Sequence, residues 1–199
     1  MLKLSNVIKK YGNQNILNSI SLTIEEPGFY ILSGINGSGK STIIKLIIGL
    51  IYKTSGEIIN DNSISYLPDK FSLPKLLKVE KYVKSILALY GKKIDAKALL
   101  EEYQIPNKVI SSLSKGNYQK LGLLQILIHD ADCYIFDEPL DGLDEFAKKL
   151  FKEKVSELLE QNKIVIMSLH NKSLFNGITS KVFEIKEGTI NERKRKIKK

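Results

Sequence analysis

The residues Gly34-Ile35-Asn36-Gly37-Ser38-Gly39-Lys40-Ser41-Thr42 fit the pattern G-x-x-x-x-G-K-[ST]. Each residue type has a chemical reason to be there. Glycines let the backbone curl until its N–H groups point inward at phosphate oxygens. A helix starting at this loop adds unpaired N–H groups and the positive end of its dipole. Lys40 is expected against the β- and γ-phosphates, and the Ser41 hydroxyl on Mg²⁺, which prefers hard oxygen ligands. The chemistry is binding of a nucleoside triphosphate, with Asn36, Gly37, Ser38, Gly39, Lys40, Ser41 and Thr42 as its contacts. A second constellation lies about a hundred residues on, where Asp137-Glu138 follows the apolar run Cys133-Tyr134-Ile135-Phe136. Acids at the carboxyl end of a parallel strand project into the crevice where α/β folds bind ligands. Asp137 is placed to hold Mg²⁺, and Glu138 to polarise an attacking water, assistance worth about 10²–10⁴-fold. His170 follows the next apolar run, Ile164-Val165-Ile166-Met167. If both strands end at one edge, His170 reaches the γ-phosphate; the alternative is a hydrogen-bonded strand-end histidine. His129 is assigned no function.

The loop needs a strand before it and a helix behind it. Gly28-Phe29-Tyr30-Ile31-Leu32 reads as the strand and Ile43-Ile44-Lys45-Leu46-Ile47-Ile48 as the helix. Before them, residues 2–8 and Ile20 to Ile24 partly alternate apolar and polar, as exposed strands do, around a turn signal at Lys9-Lys10-Tyr11-Gly12-Asn13. Glu57 to Asn60 and Ser63 to Leu67 read as short strands around a turn at Asp61-Asn62. From Pro68 to about Ser112 the period becomes helical. One helix runs from Leu76 to a stop at Gly91, and another from a cap at Asp95 to Tyr103. Leu113 to Asn117 leads into a further apolar helix, Glu145 to Gln161 is an amphipathic one, and a hairpin around Glu187-Gly188 ends the pattern.

The chain has 199 residues, 43% hydrophobic and 27% charged, an ordinary globular balance with material for a core. Its one cysteine, Cys133, sits in an apolar run and fits a buried thiol in a reducing compartment. Met1-Leu2-Lys3-Leu4-Ser5 has no secretory signal shape, and no run approaches the ~20 apolar residues of a membrane span. The formal charge is +9, but six of the last seven residues are basic: Arg193, Lys194, Arg195, Lys196, Lys198 and Lys199. Without them 25 basic residues face 22 acidic ones, or +3. The basicity is local and no specific nucleic-acid partner is expected. The tail reads as a solvated terminus, with attraction to anionic lipid headgroups as the alternative.

Taken in order, these motifs resemble the nucleotide-binding subunit of an ATP-binding cassette (ABC) transporter, over nearly the whole chain. Tyr11 matches the aromatic that stacks on adenine, and Gly34 to Thr42 the phosphate loop. Thr54-Ser55-Gly56-Glu57-Ile58 matches the segment after the first helix, and Leu113-Ser114-Lys115-Gly116-Asn117 stands where the family has its Leu-Ser-Gly-Gly-Gln signature. Ile135-Phe136-Asp137-Glu138-Pro139 matches the strand with the catalytic glutamate, Gly142-Leu143-Asp144 the D-loop, and His170 the switch histidine. The resemblance implies an α/β P-loop NTPase fold: a RecA-like core sheet, an antiparallel β subdomain and a small helical subdomain at about 68–125. It implies a single ABC ATPase domain over 1–199, with the basic tail at 193–199. It implies ATP and Mg²⁺ as cofactors, with Glu138 and His170 catalytic. It implies a head-to-tail pair with a second ATP-binding subunit, identical or related, in which Ser114 and Gly116 of the facing chain touch the γ-phosphate. The remaining partner is a separate multi-span membrane permease, which places the chain in the cytoplasm on the inner face of the cell membrane.

Two positions depart from the pattern. Asp69, after Tyr66-Leu67-Pro68, stands where most members carry a glutamine that contacts Mg²⁺. An acid there can still bind the metal, and it resembles exporter-type subunits; the alternative is that Asp69 caps the coming helix. Lys115 and Asn117 replace glycine and glutamine in the signature; Lys115 is expected to point into solvent, the alternative being added charge near the phosphates. The leading function is an ATPase subunit driving export through the permease. The alternative is a soluble ABC ATPase acting on ribosomes or nucleic acid, but ribosome-acting members join two cassettes and chromosome members insert long coiled coils. A regulator that only binds nucleotide is disfavoured by Glu138 and His170 together.

Overall fold

The computed structural model describes residues 1–169 and 173–194. Strands β1 (Leu2–Tyr11), β2 (Gln14–Ile24) and β4 (Ser55–Asn60) form an antiparallel sheet in the order β2-β1-β4. A second sheet has the order β5-β6-β7-β3-β8-β9, from β5 (Ile64–Leu67), β6 (Cys133–Asp137), β7 (Ile164–Leu169), β3 (Gly28–Ser33), β8 (Ser180–Lys186) and β9 (Thr189–Lys194). It is parallel except for the β8–β9 hairpin. Helix α1 (Lys40–Ile47) follows β3, helix α5 (Glu145–Glu160) follows β6, and α2 (Val79–Leu89), α3 (Ala96–Glu102) and α4 (Lys115–Ile128) lie between β5 and β6.

The apolar runs explain the layering. Every residue of β6 and β7 is buried, as strands covered on both faces must be. Cys133, Ile135, Ile164 and Ile166 pack with α1 and the antiparallel sheet, while Tyr134, Phe136, Val165 and Met167 pack with α5. Helix α5 contributes the stripe Ala147, Phe151, Val155 and Leu158, and each large apolar side chain so buried is worth about 1.5–3 kcal/mol. Asp144 Oδ1 caps this helix by accepting from Ala147 N at 2.7 Å. A third apolar cluster joins α2 and α3 to Leu121, Leu124 and Ile128 of α4, whereas Leu123 and Ile126 face β6 and α5. The boundary expected near residue 125 therefore falls inside a helix shared by both clusters.

Several local expectations change. The turn expected at residues 9–13 is shorter: β1 runs on to Tyr11, paired with Gln14, and only Gly12 and Asn13 turn. The imperfect alternation in β1 has a cause, a register shift between Leu4 and Val7 with Asn6 at φ 49°. The extra residue moves burial from Leu4 to Val7. Strands β4 and β5 flank Asp61-Asn62 but do not pair; the chain crosses there from one sheet to the other. Helix α2 starts at Val79, three residues later than Leu76, and its N-cap is Lys78, so Asp69 does not cap it. Asp95 does cap α3, accepting from Lys97 N at 3.0 Å.

Candidate functional site

Strand register brings the motifs to one edge. Ser33, the last residue of β3, lies beside Leu169 of β7, and Asp137, the last of β6, beside Ser168. Leu67 ends β5 next to Phe136. The phosphate loop, Asp137-Glu138 and the segment leading to Asp69 all leave the sheet at this edge. His170, the next residue after β7, lies outside the described residues, as do residues 195–199 of the basic tail.

The loop is built by close approach. A Cβ on Gly34 would lie 2.5 Å from Ile185 O and 2.5 Å from Ser38 Oγ, so only glycine fits. Gly39 stands at φ 110°, outside the range of L side chains, and opens α1. No side chain caps α1, and its first turn holds no acid. Its leading N–H groups and positive dipole end are therefore left for an external anion. Lys40 is 4% exposed; its Nζ donates to Gly34 O at 3.0 Å and Ile35 O at 3.1 Å and lies 3.6 Å from Glu138 Oε1. The ammonium is thus held over the loop from within, its charge facing the acid that follows β6, two strands away in the sheet. Ser38 Oγ is buried and has no hydrogen-bond partner. Asn36 and Gly37 are exposed at the loop's tip, and Ser41 and Thr42 are half-buried in the first turn of α1.

The two acids of β6 are fixed by one serine. Ser168 Oγ, fully buried, donates to Asp137 Oδ1 at 2.6 Å and accepts from Glu138 N at 2.8 Å. Asp137 is 3% exposed, while Glu138 adopts φ 51°, a left-handed conformation that turns its carboxylate out of the strand toward Lys40. Asp69, Glu138 and Asp141 offer carboxylate oxygens within 4.8 Å of one another. That is a hard-oxygen set of the type Mg²⁺ accepts. Of the residues expected on the metal, the structure brings Asp69 to this group. Asp137 is not among the three and is held by Ser168; burial first, then Asp137 and Asp69, push the Tyr66 hydroxyl up to about 12.

Asp141 and Ser168 were not singled out from the sequence. The only hint for Asp141 is an acid just after Asp-Glu-Pro, and for Ser168 a hydroxyl at the end of an apolar run.

Ser114 is the N-cap of α4, its Oγ accepting from Asn117 N at 3.3 Å. Gly116 faces the carbonyl of Gly142, and the Lys115 stem lies across Gly142 with the residue exposed, as expected. Gln119 Nε2 donates to Asp141 O at 3.1 Å. The start of α4 is thereby seated on the loop that carries Asp141. Among the described residues no hydrogen bond or ion pair joins Ser114 or Gly116 to residues 34–42. Tyr11 stands 51% exposed at the tip of the β1–β2 hairpin, with Lys9 Nζ 4.4 Å from its ring centroid. The flank of that hairpin borders the loop, since a Cβ on Gly39 would meet Leu17 Cδ2 at 2.8 Å.

The ABC transporter family model matches residues 17–141, from β2 through the loop carrying Asp141. The chain belongs to the ABC transporter family. As an ATP-binding cassette it is an ATPase, and ATP is the nucleotide of its family. An uncharacterized ABC transporter ATP-binding protein of Methanocaldococcus jannaschii is 32% identical over 195 residues, covering 94% of this cassette and 74% of that protein. The zinc import ATP-binding protein ZnuC of Rickettsia bellii is 34% identical over 176 residues, covering 85% and 75%. The dimeric ATP-binding cassette MJ0796, solved in a post-hydrolysis state with ADP and Pi, superposes with a TM-score of 0.83 at 24% identity, over 98% of both chains. This last likeness establishes the shared fold.

Proposed function

We propose that this cassette powers transport through a separate multi-span membrane permease, by closing on ATP with a second cassette and opening after hydrolysis. The observation that carries the reading is the meeting of Lys40 with Glu138 at 3.6 Å, beside an uncapped helix start. Cation, helix dipole and carboxylate converge where a triphosphate would lie. Residues Asn36 to Thr42 hold the phosphates, and Tyr11 stacks on the base. Ser41, Asp137 and Asp69 would hold Mg²⁺, with Asp141 added by its place beside Asp69 and Glu138. The metal, when bound, neutralises phosphate charge. Glu138 accepts a proton from water as the water oxygen bonds to the γ-phosphorus. The bond to the bridging oxygen breaks, leaving ADP and inorganic phosphate. His170, assigned by the resemblance to the switch histidine, is the second catalytic residue of this reading.

Ser114 and Gly116 of the facing cassette, identical or related, close over the γ-phosphate. Moving such a pair from mostly open to mostly closed needs about 5.5 kcal/mol of differential affinity. A triphosphate gripped from both sides at two sites supplies that, and phosphate loss removes it. No helix among the described residues is long and apolar enough to cross a membrane. The path across the bilayer then belongs to the permease, with this chain on its cytoplasmic face. Export is the direction we infer, on the acid at Asp69.

The test is Glu138→Gln. The variant should bind ATP, hydrolyse it about 10²-fold or more slowly, and accumulate as an ATP-held dimer by light scattering. A persistent monomer would sink the paired mechanism. Gentle membrane extracts of the tagged protein should yield a multi-span polypeptide. Ribosomal or DNA-bound material alone would overturn the transport reading, and a co-purifying solute receptor on the far membrane face would overturn export.

A further inference from the structure

The tip of the β1–β2 hairpin is anchored more firmly than a surface turn requires. Thr54 N donates to Ile8 O at 2.8 Å, Lys10 N donates to Thr54 Oγ1 at 2.9 Å, and Lys9 Nζ donates to Tyr52 O at 2.8 Å. The loop after α1 therefore holds the end of β1 by backbone and side chain together. Lys9 makes a second contact with the same ammonium, 4.4 Å from the Tyr11 ring centroid. A cation at that distance over a ring is attracted to its π face. Tyr11 nevertheless stays 51% exposed, with the Lys9 ammonium over its ring. The hairpin borders the phosphate loop through Ile16 and Leu17, which lie against Gly39.

We propose that Lys9 is a positioning residue for the nucleobase: its ammonium, tied to Tyr52 O, pins one face of Tyr11 and presents the opposite face for stacking a purine. The assignment rests on Tyr11 being the base platform of the proposed ATP site. Its physical content is twofold. A ring fixed before binding loses less side-chain freedom when the base arrives. A cation on one face draws π density away from the other, which suits an electron-rich purine.

The experiment is calorimetry of wild type, Lys9→Met and Lys9→Arg, each with MgATP and with magnesium tripolyphosphate, which has no base. Lys9→Met keeps the stem without the charge and should weaken ATP about fivefold while leaving tripolyphosphate unchanged. Lys9→Arg keeps a cation over the ring and should bind ATP within about twofold of wild type. Equal weakening of both ligands would show a general effect on the fold and overturn the proposal. So would unchanged ATP affinity in Lys9→Met. Wild type binding ATP no more tightly than tripolyphosphate would remove Tyr11 as platform and Lys9 with it. Failure of wild type to bind either ligand would instead overturn the nucleotide site itself.

Discussion

Ser168→Ala is the most demanding test of how the two acids are held. The hydroxyl is fully buried and serves two partners, donating to Asp137 Oδ1 at 2.6 Å and accepting from Glu138 N at 2.8 Å. A hydrogen bond to a charged group contributes about 1.5–3 kcal/mol, and leaving a buried N–H unsatisfied costs about 1–3 kcal/mol. The sum is roughly 2.5–6 kcal/mol, a large share of the ~5–15 kcal/mol that holds a domain folded. The alanine leaves only an oxygen-sized gap, so packing loss adds little. Urea unfolding should show the midpoint falling by about 2 M with the slope unchanged, taking a slope near 2 kcal/mol/M. Function should change in a specific way. Glu138 sits at φ 51°, a conformation that costs about 1–3 kcal/mol in a non-glycine residue unless its surroundings hold it. Without the serine, Glu138 can relax away from Lys40. The phosphate loop itself keeps its contacts, Lys40 to Gly34 O and Ile35 O included. ATP affinity should therefore stay within about threefold while turnover falls about 10²-fold, the scale of general-base assistance. A stability loss under 1 kcal/mol would refute the bookkeeping. A parallel fall in affinity and turnover would refute the claim that Ser168 acts through Glu138.

Gly39→Ala forces an L residue to φ 110° and puts a Cβ 2.8 Å from Leu17 Cδ2. It should lose at least about 1–2 kcal/mol in urea titration and weaken ATP at least tenfold by calorimetry, because the N–H groups of the loop lose their aim. Alkaline stability tests Cys133. Burial, with a smaller push from Asp132, raises its thiol from 9.0 to about 12. The unfolded chain releases that proton first, so the thiol's contribution is complete below about 9 and is lost as pH rises toward 12. Tyr66 and Tyr82 shift from 10.0 to about 12 in the same sense and act later. Urea midpoints between about pH 9 and 10 should fall more steeply in wild type than in Cys133→Ala, and parallel curves would show that Cys133 plays no part.

What the sequence made legible depended on whether a residue's role was local. The phosphate loop, the runs before Asp137 and after Gln161, and the Asp95 cap could be read because glycine pattern, double-sided burial and side-chain capping act within a few residues. Lys9 and Lys10 look like turn residues for the same reason, yet they lie in a strand because Thr54 and Tyr52, over forty residues away, supply hydrogen bonds. The crossing between sheets at Asp61-Asn62 was hidden because a strand does not announce its partner. In the site, Asp137 and Glu138 were visible as an acidic pair, but what separates their environments was not. Ser168 buries one beside β7, and the positive φ at Glu138 turns the other outward. Asp141 joins Glu138 and Asp69 only because the loop after β6 folds back under Gln119 of α4. That contact has a physical consequence. The helix start carrying Ser114 and the loop carrying Asp141 touch at Gly116, Lys115 and Gln119, so a displacement of either must be accommodated by the other. The substitution of lysine for glycine in the signature thus adds contact inside the chain, its stem packed over Gly142, while the residue stays exposed.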